Sequence, residues 1–329
     1  MCSLQSMSTP VSHKWFDNHK LSGKAKPHPW QIARCNRPSW LSRSKGGPLR
    51  ERSTVLLKNI VLSGLVVAAM GCGGGSDGSS GEVAAVCSAI GYSKSLKVAA
   101  GEQCLVDSSG DTSSVVKLFL FDDDDGSLVG SCTGTVISPT AVLTAAHCFI
   151  SADSAVVRVV ANGTKVDVPS SRVVTHPGFF VGSEDVFFND VAVVHTSSQL
   201  PAPAAPILLS RAPEVGEVAI VAGYGQVEND GLAVEDVVAG RAIIRIVTDN
   251  HIRIDFRGEE SHPCQGDSGG ALFIEDDIGL VIVGVVSQSD PSVSEEQVCS
   301  KGDMTLYANS QSPDISSFIA TQVPGVVVR

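Results

Sequence analysis

The sequence predicts an all-β fold from Val115 onward. Two observations support this prediction: the apolar segments are short and separated by Gly, Pro and Asp, and a convincing helical pattern occurs only near the C-terminus. Many short strands with such turn residues are typical of a β-sandwich or β-barrel. The strands are predicted at 115–121, 155–161, 164–168, 191–195, 217–222, 241–247, 252–256, 271–274, 280–287 and 305–308.

The first strand, 115–121, is mostly apolar and leads into the acidic turn 122–126. Four consecutive aspartates are compatible with a calcium site, but we favour a solvated hairpin tip. At the other end of the domain, Ser312 is positioned to cap a helix and Pro313 suits its first turn. The helix places three apolar side chains on one face: Ile315, Phe318 and Ile319.

Charge divides the chain into two parts. Residues 1–58 hold 11 of the 24 Lys and Arg and only two acids, whereas residues 59–329 hold 13 bases against 33 acids, a net charge of −20. Such an acidic domain argues against a nucleic-acid partner. The charge favours either basic substrates or solubility in salt, and we prefer solubility as the simpler explanation.

The N-terminal part resembles a leader that precedes an export signal. Residues 1–53 are basic and without sustained periodicity, so we expect them to be disordered and expect translation to start after Met1. Residues 54–71 are predicted to be a signal peptide, because a positive segment precedes the apolar run 60–70. That run is shorter than the ~20 residues that a membrane-spanning helix requires.

Cys72 follows the signal, and the Gly- and Ser-rich segment 73–81 comes next. This arrangement resembles a bacterial lipoprotein signal, with Cys72 as the lipidated residue and a flexible tether behind it. Ala69 departs from that pattern, since a leucine is usual there. We therefore expect an exported lipoprotein of the cell envelope, with ordinary signal cleavage and secretion as the alternative.

The segment Cys264–Gly270, with the sequence CQGDSGG, carries the most specific chemistry. Its glycines permit a sharp turn that exposes the Ser268 hydroxyl and leaves the amides of Gly266 and Ser268 free to face one point. That is the geometry which an oxyanion requires. Taken alone, the segment is also compatible with an ordinary glycine-rich turn.

Two upstream residues complete a catalytic set. His147 lies in LTAAHC after an apolar run, and Asp190 lies at the start of the apolar segment DVAVV. Each one alone is more simply read as a core or turn residue. Together with Ser268 they supply a base, an acid that orients the base, and a nucleophile.

The order His, Asp, Ser in these motifs, with intervals of 43 and 78 residues, resembles the trypsin/chymotrypsin family of serine proteases from Val115 to Gln322. The resemblance implies two six-stranded antiparallel β-barrels with a C-terminal helix, in a protease domain at 98–329. It also implies a serine endopeptidase that works through an acyl-enzyme on protein or peptide substrates. No cofactor or metal is expected.

The resemblance implies individual roles. His147 would be general base and then general acid, Asp190 would orient it, and Ser268 would attack the scissile carbonyl. Gly266 and Ser268 would form the oxyanion hole, while Ser287 would bond Asp190 and its neighbours would pair with the substrate backbone.

The same resemblance implies two disulfides, Cys132–Cys148 and Cys264–Cys299. Setting aside Cys2, Cys35 and Cys72, this leaves Cys87 and Cys104 as a third pair. A zinc site is the competing use of these cysteines, but the chain lacks CxxC and HExxH spacings.

In the family, a new N-terminal ammonium pairs with the acid that precedes the nucleophile, here Asp267. The chain lacks the usual IVGG start, and its nearest equivalent is Val98 after Lys97. We therefore predict activating cleavage at Lys97–Val98, with 72–97 as tether and propeptide. The alternative is that 82–114 is only an N-terminal extension.

The specificity pocket departs from that of trypsin. His262 and Pro263 stand where a pocket-bottom aspartate and its neighbour are expected, and Ser289 and Thr305 occupy glycine positions. The pocket is therefore expected not to select Arg or Lys, and to take small or acidic residues. The alternative for His262 is a solvent-exposed loop residue.

Two other functions compete with the endopeptidase. The first is a catalytically silent, protease-like binding protein, which the complete triad disfavours. The second is an esterase, but α/β-hydrolases carry their triad in the order Ser, Asp, His, whereas this chain has the order His, Asp, Ser. We expect a monomer.

Overall fold

The computed structural model describes residues 86–92, 94–98, 101–106, 110–227 and 233–329. The predicted leader, the signal peptide and Cys72 lie outside these residues. The β-strands of the described part are β1 (Lys94–Val98), β2 (Gly101–Leu105), β3 (Val115–Phe121), β4 (Leu128–Ser138), β5 (Ala141–Thr144), β6 (Ser154–Ala161), β7 (Thr164–Thr175), β8 (Phe180–Val181), β9 (Phe187–Phe188), β10 (Ala192–Thr196), β11 (Val218–Gly223), β12 (Val238–Val247), β13 (His251–Asp255), β14 (Ala271–Asp276), β15 (Gly279–Ser289) and β16 (Met304–Asn309).

The helices are short. In the part of the chain that the structure describes, a single helical turn covers 86–89, and three 3-10 turns cover Ala146–Phe149, Ser183–Asp185 and Glu295–Gln297. The α-helix α1 (Pro313–Gln322) closes the domain. Among the described residues, no helix has the length and apolar character that crossing a membrane requires.

Six antiparallel strands form a first closed barrel in the order β10-β5-β4-β3-β6-β7. Because the barrel is closed, every strand has a hydrogen-bonded neighbour on both sides. All four residues of β5 are buried. Side chains of these strands are fully buried, among them Leu118, Val136, Val142, Val157 and Val193. β-Branched residues suit such a surface because they pack well on a pleated sheet.

The second barrel comprises β12-β11-β14-β15-β16-β13 and closes through the pairing of β12 with β13. The hairpin β1–β2 adds to the start of β12, at Val238 and Ala239, which β13 does not pair. The core of the second barrel contains Ile244, Ile252, Leu272, Val281 and Tyr307. The prediction of two six-stranded antiparallel barrels with a C-terminal helix is therefore confirmed.

Helix α1 begins as predicted, but its cap differs. Ser312 occupies the N-cap position, and its hydroxyl makes no capping hydrogen bond. The backbone supplies the first bond instead, since the Ser316 amide donates to the Ser312 carbonyl at 2.8 Å. Pro313 stands at the first helical position, where a missing amide hydrogen costs nothing.

Residues 86–92 pack into the body of the domain. Val86, Cys87, Ile90 and Tyr92 are buried in the same core cluster as the first barrel. The Tyr92 hydroxyl lies 3.4 Å from the Tyr224 hydroxyl. The disulfide Cys87–Cys104 links this segment to β2.

Replacing both Cys87 and Cys104 by serine should lower the free energy of unfolding. The closed loop spans 17 residues, for which the loss of loop-closure entropy in the unfolded chain corresponds to about 3 kcal/mol. Urea unfolding of the two forms measures this difference. Equal stability of the double variant and the parent would contradict the expectation.

Candidate active site

His147 and Asp190 meet because two paired strands deliver them to the same end of the first barrel. Thr144, at the end of β5, pairs with Ala192, at the start of β10. His147 follows β5 in a 3-10 turn, and Asp190 closely precedes β10. Imidazole Nδ1 lies 2.7 Å from Asp190 Oδ2, and the His147 amide donates to Asp190 Oδ1 at 2.8 Å.

The Asp190 carboxylate is enclosed, with none of its side chain exposed. Besides its bonds to His147, it accepts a hydrogen bond from the Ser287 hydroxyl of the second barrel at 2.6 Å. Such bonding offsets the cost of burying a charge. Because a carboxylate only accepts, the hydrogen must sit on Nδ1 of His147, which leaves Nε2 as the acceptor.

Ser268 lies beside the histidine segment. Its carbonyl accepts a hydrogen bond from the Thr133 amide at 2.9 Å and lies 3.9 Å from Cys148 Sγ, next to His147 in the chain. Among the described residues, the Ser268 hydroxyl and the His147 ring do not share a hydrogen bond. This bond is often long without substrate and tightens in the complex.

The loop around Ser268 depends on glycine conformations. Gly266 and Gly269 have φ of +96° and +84°. A Cβ on Gly269 would stand 2.0 Å from Thr144 Oγ1, so that position has no room for a side chain. Within the described part of the chain, the amides of Gly266 and Ser268 donate to no acceptor, as an open oxyanion hole requires.

The Asp267 carboxylate lies against Gly223 and Gly225 of the second barrel. Its carboxylate accepts hydrogen bonds from the amides of Gly225 at 2.7 Å and Cys264 at 2.8 Å. Burial raises the pKa of Asp267 to about 6, although both hydrogen bonds act to lower it. No basic side chain of the described ranges forms an ion pair with it.

Lys97 and Val98 lie at the end of β1, in the hairpin with β2, where Val98 pairs with Gly101. Gly101 packs on β12: a Cβ there would stand 2.5 Å from the Ala239 carbonyl. Ala239 also lines a cavity of ≈ 20 Å³ beside Asp267. The hairpin therefore lies at the edge of the cavity that contains the acid.

A second cavity, of ≈ 130 Å³, opens next to Ser268. Four of the five predicted specificity residues line it: Pro263, Ser287, Ser289 and Thr305. The fifth, His262, lies behind the wall, where its Nε2 is 2.7 Å from Thr305 Oγ1. Only 4% of its side chain is exposed, so His262 is not a solvent-exposed loop residue.

Sequence reasoning missed Asp303, which lies under this cavity with 1% of its side chain exposed. Its carboxylate accepts hydrogen bonds from the amides of Cys299 and Met304, both at 2.7 Å, and from the Ser289 hydroxyl at 3.3 Å. His262 Nε2 is 3.6 Å away. Burial lowers the pKa of His262, with Asp303 acting in the opposite direction.

Sequence reasoning also missed the aromatic hairpin β8–β9. Phe187 packs beside the imidazole, with ring centroids of Phe187 and His147 5.6 Å apart. Two side chains of the second barrel hold the hairpin: Gln288 accepts from the Phe187 amide at 2.7 Å, and His251 Nε2 lies 2.7 Å from the Phe187 carbonyl. Two-residue strands are too short to show a pattern in sequence.

Two disulfides brace the site, as the family resemblance implied. Cys132–Cys148 links β4 to the turn that contains His147, and Cys264–Cys299 links the serine loop to the segment under the cavity. In the described ranges, no group of three or more His, Cys, Asp or Glu has a metal-binding arrangement.

Comparison with known proteins places this geometry in a family. The Trypsin family matches residues 85–311. Trypsin zeta of Drosophila melanogaster is 28% identical over 182 residues, covering 46% of this chain and 63% of the relative. Brachyurin of Leptuca pugilator is 32% identical over 165 residues, covering 43% and 70%. Human serine protease 56 is 30% identical over 165 residues, covering 43% and 27%.

The chain thus spans somewhat under two thirds of the trypsin zeta that it matches, and about a quarter of serine protease 56. The family match covers well over half of this chain and includes His147, Asp190 and Ser268. Two six-stranded barrels and a closing helix agree with it. This chain belongs to the trypsin family of serine endopeptidases.

Proposed function

We propose that the chain is an exported serine endopeptidase that hydrolyses peptide bonds through an acyl-enzyme. The observation that carries the proposal is the chain of hydrogen bonds from His147 Nδ1 to Asp190 to Ser287, at 2.7 and 2.6 Å, with Ser268 beside it. This arrangement fixes the imidazole tautomer whose Nε2 accepts a proton.

The reaction follows from these positions. His147 Nε2 takes the proton of the Ser268 hydroxyl as its oxygen attacks the scissile carbonyl. The amides of Gly266 and Ser268 stabilise the oxyanion, and Asp190 stabilises the imidazolium. His147 then protonates the leaving amine, and water hydrolyses the acyl-enzyme by the same steps in reverse order.

We propose that the specificity pocket accepts small or acidic residues rather than Arg or Lys. Asp303, the carboxylate that the described residues place under its floor, is bonded to two backbone amides and a serine hydroxyl, and 1% of its side chain is exposed. A substrate ammonium group would find no free charge there. The side chains of Thr305 and Ser289 line the pocket and reduce its volume. His262 would influence the substrate only indirectly, through its hydrogen bond to Thr305.

Activation is proposed to follow cleavage of Lys97–Val98. After cleavage, the new ammonium group at Val98 would move from the edge of the cavity beside Asp267 to the Asp267 carboxylate. The enclosed Asp267 carboxylate has no cationic partner among the described residues, so it is available for this ion pair. An ion pair there would order the serine loop. The segment 86–92 would remain attached through Cys87–Cys104 and its buried side chains.

The N-terminal part is proposed to deliver the enzyme to a bacterial cell envelope. In this proposal, 1–53 is a disordered leader, 54–71 is the signal peptide and Cys72 carries the lipid. The tether and propeptide are 72–97, and the protease domain is 98–329, acting as a monomer. Without lipidation the same chain would be secreted.

Ser268→Ala should abolish peptide hydrolysis and fluorophosphonate labelling, because both need the same nucleophilic oxygen. We expect a fall in kcat of about 10⁶-fold, the scale known for a triad serine. Ser210→Ala, at an exposed serine outside the site, is the control and should retain full activity. An unlabelled wild-type chain after processing would instead favour the binding-protein alternative.

Cleavage of a peptide library should show little hydrolysis after Arg or Lys. Thr305→Gly should raise kcat/KM for large apolar residues before the scissile bond by about tenfold or more, because even one methylene group in a pocket changes selectivity by ~10-fold. The control Thr305→Val keeps the volume and should keep the size preference. Selective hydrolysis after Arg or Lys by the wild-type enzyme would refute this pocket assignment.

The uncleaved chain should lose stability as pH rises from about 4 to about 6. Folded Asp267 holds its proton up to a pKa of about 6, whereas the unfolded chain releases it near 3.8. A shift of this size corresponds to about 3 kcal/mol, fully present below pH 3.8 and lost as pH rises through 6.

Urea unfolding of Ser268→Ala, with and without Asp267→Asn, isolates this effect. The pH dependence between about 4 and about 6 should be weaker in the form that carries Asp267→Asn, because an amide does not titrate in this range. Cleavage at Lys97–Val98 should also weaken it, because an ammonium partner favours the ionised carboxylate. Identical pH profiles for all three forms would contradict both the titration and the activation proposal.

A further inference from the structure

The loop that contains Ser268 needs support from outside itself. Its glycines at 266 and 269 have φ of +96° and +84°, and glycine backbones have many alternative conformations. In a trans peptide the carbonyl and the amide hydrogen point in opposite directions. Holding a carbonyl of this loop therefore also fixes the direction of the next amide.

Each peptide group of the loop has its own partner. The Gln226 amide donates to the Gln265 carbonyl at 2.8 Å, which fixes the amide of Gly266. The Gly270 amide donates to the Asp267 carbonyl at 2.9 Å, which fixes the amide of Ser268. Those are the two amides of the proposed oxyanion hole.

The peptide between these two is held from the other barrel by Thr133. The Thr133 hydroxyl donates to the Gly266 carbonyl at 2.9 Å, and the Thr133 amide donates to the Ser268 carbonyl at 2.9 Å. This residue of β4 therefore hydrogen-bonds to the loop on both sides of Asp267. None of its surface is exposed to solvent.

Thr133 is itself fixed in orientation. Its hydroxyl oxygen accepts a hydrogen bond from the Tyr224 amide at 3.0 Å, and its carbonyl accepts one from the Thr144 hydroxyl at 2.8 Å. The accepted bond from Tyr224 directs the Thr133 hydroxyl hydrogen toward Gly266. Without the hydroxyl, the Gly266 carbonyl and the buried Tyr224 amide would both lose a partner.

We propose that Thr133 is a positioning residue for the oxyanion hole, acting through its hydroxyl on the Gly266–Asp267 peptide. The inference rests on the proposed endopeptidase function and concerns the transition state rather than the binding of substrate. Removing the hydroxyl frees the carbonyl of the Gly266–Asp267 peptide, which joins the two donor peptides, and rotation of this link shifts the amides of Gly266 and Ser268 on either side of it. The loss should therefore appear in kcat, with KM little changed.

The chain offers a matched control in the same strand. Thr135 lies two residues along β4, is 1% exposed, and its hydroxyl has no hydrogen-bond partner among the described residues. Thr133→Val and Thr135→Val are the same chemical change in the same barrel. They differ in whether the lost hydroxyl was bonded to the serine loop.

The experiment compares the full-length chain and its variants after identical processing. We expect Thr133→Val to lower kcat by about 10- to 100-fold, below the ~100- to 1000-fold loss measured for a missing oxyanion donor. A peptide boronic acid, whose adduct oxygen occupies the oxyanion hole, should bind more weakly by a similar factor. Thr133→Ser should restore both to near the wild-type values, and Thr135→Val should change neither.

Three outcomes would overturn the inference: a kcat of Thr133→Val equal to that of Thr135→Val, a loss confined to KM, or a failure of Thr133→Ser to restore activity. If Thr133→Val does not fold, Thr133→Ala removes the same hydroxyl without introducing a new methyl contact and is judged by the same criteria. An inactive wild-type chain, unlabelled by fluorophosphonate, would refute the endopeptidase function itself.

Discussion

The Asp190 carboxylate is the group on which the site depends. It is enclosed between two barrels, and its hydrogen bonds come from both: His147 from the first and Ser287 from the second. A buried carboxylate without partners would destabilise the domain by several kcal/mol. The same contacts that compensate for its burial also orient the imidazole and hold the two barrels together at the cleft.

The conformation of the serine loop also depends on hydrogen bonds to neighbouring segments. Asp267 anchors it to Gly225 and Cys264 from below, and Thr133 holds it from the first barrel. Glycine permits the conformation but does not enforce it. Enforcement comes from hydrogen bonds to fixed neighbours, among them the fully buried Thr133.

Local pattern predicted much of the fold. For strands with clear apolar runs, such as β3 and β6, the predicted bounds lie within one residue of the observed bounds. The predicted first turn of α1, at Pro313, is also where the helix begins. The hairpins β1–β2 and β8–β9 were missed: β8 and β9 have only two residues each, and β1–β2 is joined to the second barrel by the pairing of β2 with β12. Ser312 shows the limit of propensity: it stands at the cap position, but its hydroxyl makes no capping bond.

By itself, the sequence determined which groups the chain contributes: a serine among glycines, a histidine after one strand and an aspartate before another. It also determined the apolar strand that begins just after Asp190. Only the tertiary structure decided the partners of Thr133 and Asp303, and the withdrawal of His262 behind Thr305. The physical reason is sequence distance. The Thr133–Gly266 bond joins residues 133 positions apart, and local preferences carry no information on how two closed sheets meet.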